Sequence, residues 1–154
     1  LLSGSSPFVT GPDSLQVEAL APRFYEGEGL ELVAVHSGWD ALVTADHPAQ
    51  PGETIHLYMA GLGPVSPPAA TGVSAPSDPL ARVVMPLHCQ VWDGGPNDAQ
   101  IWFAGLAPGM VGIYQVELQV PAGLRITPVT VICSHDSQEG VQAIGILPVN
   151  LAGH

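Results

Sequence analysis

No window of this sequence keeps apolar residues at helical spacing for three turns, because proline or glycine interrupts it first. Proline lacks the amide donor that a helix interior needs, and glycine costs about 1 kcal/mol there relative to alanine. With 18 glycines and 16 prolines in 154 residues, the punctuation leaves room only for short extended runs. Ten such runs end in turn residues: 15–21, 30–36, 41–45, 54–60, 80–85, 87–93, 99–104, 112–120, 126–133 and 141–147. Their spacing predicts an all-β fold, an immunoglobulin-like antiparallel β-sandwich of about 8–10 short strands in two sheets.

The stretch "FAGLAPGMVGIYQVELQVPAG" (103–123) shows how the runs are built. Strand side chains alternate, so Tyr114, Val116, Leu118 and Val120 point one way while Gln115, Glu117 and Gln119 point the other. One face is core and the other meets solvent. A phosphate-cradling glycine loop feeds a helix N-terminus, whereas this one feeds a strand and reads as a tight corner. "AGLGP" (60–64) and "AGLAP" (104–108) read as two equivalent corners of one sandwich. The longest irregular segment, 61–79, is expected to cross between the sheets along the surface. The chain divides into an N-terminal arm, 1–14, and a single sandwich domain, 15–154.

Charge narrows the partners. Arg23, Arg82 and Arg125 are the only cationic side chains besides histidine, and the formal net charge is −11. Such a surface repels phosphate backbones, which makes nucleic acid and anionic membrane surfaces poor partners, and neither is expected. No stretch approaches the roughly 18 apolar residues of a membrane span. "LLSGSSP" lacks the basic start and long apolar core of a signal peptide, so the chain reads as a mature, processed product or a recombinant one.

Three segments, "PAQPGETIHLYMAGLGPVSP", "FAGLAPGMVGIYQVELQVPAG" and "VTVICSHDSQEGVQAIGILPV", resemble an uncharacterised bacterial family of the acidobacterial type. Its exported members carry an immunoglobulin-like sandwich near the C-terminus. The family's elements fall on Pro51, Gly52, Glu53, Tyr58, Gly61, Leu62 and Gly63. They continue on Phe103, Gly105, Leu106, Pro108, Gly109, Gly112, Tyr114, Gln115, Val116, Val120, Pro121 and Gly123. The resemblance covers roughly residues 17–147, and residues 1–14 match nothing in it. It implies export and a sandwich, and it brings no catalytic residues.

In an exported sandwich Cys89 and Cys133, both on core-facing strand positions, would form a disulfide bridging the two sheets. The alternative is a pair of separate buried thiols acting as small apolar residues. His36, His47, His56, His88, His135 and His154 show no metal-ligand spacing and read as surface or half-buried residues. "DGGPND" (93–98) offers oxygens to a calcium ion, yet the same residues are what a hairpin connection demands. The hairpin is the reading taken here, and no cofactor is expected. Glu26 and Glu28 sit beside glycines in what reads as a solvated turn. No nucleophile elbow occurs, and no base is spaced to activate the serines, so an enzyme is not expected.

Two functions remain. The arm carries apolar pairs at Leu1, Leu2 and at Phe8, Val9, suited to adding as a strand to a neighbouring subunit of a surface or extracellular fibre. This makes a homo-oligomer or polymer the first expectation. The other is a carbohydrate- or protein-binding module, with Trp39 as the loop-placed aromatic for a glycan, and with Trp92 and Trp102 expected in the core.

Overall fold

The computed structural model describes residues 20–135 and 141–151. The strands are β1 (Arg23–Phe24), β2 (Ala34–Val35), β3 (Thr54–Ala60), β4 (Val65–Ser66) and β5 (Arg82–Val83), then β6 (Leu87–Trp92), β7 (Pro96–Leu106), β8 (Tyr114–Gln119), β9 (Val129–His135) and β10 (Gln142–Leu147). A single 3-10 turn, Glu28–Leu30, is the one helical element among the described residues. The all-β class therefore holds. The run 41–45 contributes only a bridge between Val35 and Leu42.

The strands do not form two separate sheets. One antiparallel path runs β1-β3-β8-β7-β6-β9-β10 and curls into a barrel-like sandwich. β7 makes this possible, because its first half pairs with β6 and its second half with β8. A bulge between Ile101 and Phe103 marks the changeover. Bulges bend a strand and add twist, which is what a sheet needs to turn its corner. The two halves then face each other across one core. Ile55, Leu57, Met59, Val116 and Leu118 come from one side, and Val91, Val129, Val131 and Leu147 from the other.

The segment 61–79 does not cross between the halves. Val65 and Ser66 pair with Val83 and Arg82, so the segment leaves and returns on the same edge. Ala75 then docks on the β7–β8 connection through Ala75 N–H to the Met110 carbonyl, 2.8 Å. Its backbone groups find partners locally, which removes any need for a crossing.

The two glycine corners are equivalent in kind. A Cβ on Gly61 would lie 2.0 Å from the Ala21 carbonyl oxygen, and one on Gly105 would lie 2.2 Å from that of Ala81. In both places a neighbouring segment crosses directly over the glycine, and Ala21 N–H donates to the Gly61 carbonyl while Leu106 N–H donates to that of Ala81. Pro108 and Gly109 occupy the centre of a turn closed by Met110 N–H to the Ala107 carbonyl. The stretch that looked like a corner is the β7–β8 hairpin connection.

Cys89 and Cys133 form a disulfide, but it links neighbouring strands rather than opposing sheets. The two residues are direct partners in the β6–β9 register, with Cα atoms 4.1 Å apart. Antiparallel neighbours approach this closely at non-hydrogen-bonded pairs, where two core-facing side chains meet. The bridge points to an oxidising environment. No helix among the described residues is long and apolar enough to cross a membrane.

Candidate functional site

The β1–β10 junction is where the barrel fails to close. β10 pairs with β9 along its whole length, and on its other side Leu32 N–H donates to the Ile146 carbonyl at 2.9 Å. Backbone groups alternate in direction along a strand, so Ile144 and Gln142 point their N–H and C=O the same way as Ile146. Among the described residues no backbone group meets them. Near Ile146 the gap is sealed: Phe24 packs on the backbone at Gly145, and so does Leu32. Towards Gln142 it opens into a groove of about 480 Å³ lined by Ala21, Pro22, Phe24, Val141 and Ile144. Ile144 is 52% exposed there, an apolar side chain on a bare strand edge. Such an edge is a template for another strand.

Leu1, Leu2, Phe8 and Val9, the residues of the expected arm, lie outside the described residues. So does His154.

A second feature lies on the outer face of β3, β8 and β7. Register places His56 beside Glu117, and Glu117 beside Phe103; Tyr58 lies beside Gln115, and Gln115 beside Gly105. The face expected to be wet is instead the floor of a cleft of about 540 Å³. Trp39 and Trp102 both line it, 53% and 58% exposed. Trp102 therefore departs from the expected core position, and Trp92 is 39% exposed as well. Trp102 follows Ile101, which packs on the core, so alternation turns it outward. The bulge after Ile101 then sets Phe103 on the outer side as well, while Ala104 returns to the core.

Trp39 is held in place by its loop. His36 and Ala41 close the connection, and Trp39 takes a left-handed φ of 60°, uncommon for a bulky residue. Its indole stacks on the His56 ring, centroids 3.6 Å apart. Glu53, from the Pro-Gly-Glu step, ties the loop down: its carboxylate accepts from Ser37 N–H at 3.1 Å, Gln50 N–H at 2.9 Å and His36 Nδ1 at 2.8 Å. Burial works to raise the Glu53 pKa but is outweighed by these donors, so it lies below the ordinary value. Burial likewise opposes the charged form of His36. Glu53 and the His47 carbonyl overcome it and raise the pKa.

On the opposite wall, Arg82 lies over the Phe103 ring, 5.0 Å from its centroid. Gln115 is buried in the floor and donates to Glu117 Oε1 at 3.4 Å. His56 is also buried, 6% exposed, against the expectation for the histidines, and its Nδ1 has no hydrogen-bond partner, with Glu117 Oε1 3.7 Å away. His135 is buried too, where Nδ1 donates to the Pro86 carbonyl at 2.9 Å.

The 93–98 loop is a hairpin, with Trp92 paired to Pro96. The buried Asp93 carboxylate accepts from Arg125 N–H at 2.8 Å and from Asn97 Nδ2 at 2.9 Å, and the Arg125 guanidinium lies against it. The Arg125 side chain, then Asn97 and the Arg125 N–H, bring the Asp93 pKa down to about 2. Its oxygens are engaged by protein donors. Glu26 and Glu28 are exposed beside the 3-10 turn, as expected.

Compared with family models, curated proteins and solved structures, the chain matches none.

Proposed function

We propose that this protein is a non-enzymatic, extracellular structural subunit that assembles by strand addition, each subunit's N-terminal arm completing the β1–β10 junction of a neighbour. The observation that carries the reading is the β10 edge at Gln142 and Ile144, which no backbone group meets among the described residues, with an apolar groove beside it. A strand entering there would hydrogen-bond to β10 and place alternate apolar side chains against Val141, Phe24 and Ile144. Residues such as Phe8 and Val9 have the required character.

The Cys89–Cys133 disulfide supports an oxidising, extracellular setting. An acidic surface with net charge −11 keeps subunits soluble until a specific contact forms. The likeness to exported acidobacterial sandwich proteins is in keeping with this reading. The test is light scattering and negative-stain imaging of native material beside a variant lacking residues 1–12. Assembly that disappears with the arm is the expected result. A protein that stays monomeric at high concentration with its arm intact would overturn the proposal.

A further inference from the structure

We infer that the cleft between Trp39 and Trp102 is a binding site for a neutral, pyranose-containing glycan. It lies on the outer face of β3, β8 and β7, not at the β1–β10 groove, and it does not depend on assembly.

Two observations point to a ligand. Two indoles more than half exposed line one cleft, one of them held there by a left-handed backbone and the other on an outward strand position beside the bulge. Large apolar side chains left open to water in a concave site mark a surface that something else covers. Polar groups converge between them, with Arg82, Gln115 and Glu117 lining the same cleft.

The chemistry of that set selects the occupant. A pyranose presents an axial C–H face that lies flat on an indole, and a rim of hydroxyls that both donate and accept. Glu117 accepts, Arg82 donates and Gln115 does both. An anionic sugar is disfavoured by the Glu117 carboxylate in the floor and by the net charge of −11. A purely apolar ligand would desolvate Arg82 and Glu117 without offering either a new partner. A neutral sugar satisfies both faces of the cleft.

The test titrates the full chain with short neutral oligomers of glucose, mannose, galactose and N-acetylglucosamine, followed by tryptophan emission and calorimetry. At least one series is expected to bind. Trp39→Ala and Trp102→Ala should each weaken it by about tenfold or more, while Trp92→Ala leaves it unchanged. Glu117→Gln, which keeps both indoles, should weaken binding as well. Trp102 stands on the exposed side of the bulge, so its substitution remains informative if Trp39→Ala disturbs the loop. The proposal is overturned if no neutral series binds, if binding survives both indole substitutions, or if acidic sugars or proline-rich peptides bind the cleft more tightly than any neutral series.

Discussion

Removing the Cys89–Cys133 bridge is the perturbation whose size follows most directly from the topology. The two cysteines are 44 residues apart, and β7 and β8 lie wholly within the loop they close. Cross-linking removes conformational freedom from the unfolded chain. For a loop of this length the chain-entropy relation gives about 4 kcal/mol at room temperature. For a chain of this size that corresponds to a fall in Tm of about 8–16 °C. Reducing the wild type isolates the loop effect. A Cys89→Ala/Cys133→Ala variant also empties buried volume, since both side chains are in the core, and should fall further by about 1–2 kcal/mol. The assay is thermal unfolding by circular dichroism with and without reductant, with free thiols titrated to confirm reduction. A fully reduced protein whose Tm drops by less than about 3 °C would refute the reasoning, because the loop would then impose no restraint that the unfolded chain lacks.

Other expectations follow from local chemistry. Asp93→Asn should destabilise at neutral pH, with the full gap above pH 3.8, a progressive narrowing below it as the unfolded chain takes up the proton, and closure once the pH has fallen through about 2, where folded wild-type Asp93 itself protonates. His36 carries a raised pKa and Glu53 a lowered one. His36 therefore contributes stability below 6.5 that is lost as pH rises through its folded value, and Glu53 contributes above 4.5 and loses it as pH falls. Denaturant melts should accordingly place the largest deficit of His36→Gln between those two values, and a flat deficit across the range would contradict the pairing. Gly105→Ala puts a methyl group 2.2 Å from the Ala81 carbonyl oxygen, and should cost about 1–3 kcal/mol by urea unfolding while loosening β5 from β7. Wild-type stability in that variant would mean the crossing is not as tight as described.

Local pattern carried a large part of the fold. The run 54–60 coincides with β3, and the alternation of Tyr114 to Val120 matches a strand with Val116, Leu118 and Val120 buried. These features depend only on residues next to each other in sequence. What escaped was set by register between distant strands. The outward position of Phe103 follows from an extra residue opposite β8, which no single-strand pattern records. A weak signal was present in "IWFA", where two adjacent aromatics cannot share one face of a regular strand. The merging of two sheets into one path rests on β7 having two partners, and the disulfide joins neighbours because that path brings β6 beside β9. The segment 61–79 lacked any sign of its pairing, since β4 is only two residues long. Of the two sites, Trp39 was legible as a loop aromatic. Its floor of Gln115 and Glu117 looked like ordinary solvent-facing positions, and the open β1–β10 edge is a property of closure alone.

The assembly reading turns on whether the arm of one chain reaches the β10 edge of another. Co-expressing a Phe8→Cys chain with an Ile144→Cys chain, then oxidising and running a non-reducing gel, asks this directly, because neither chain holds both new thiols. A cross-linked heterodimer within larger assemblies is the predicted result. A Phe8→Cys/Ile144→Cys chain that links only to itself, with no bond between the separately substituted chains, would contradict it.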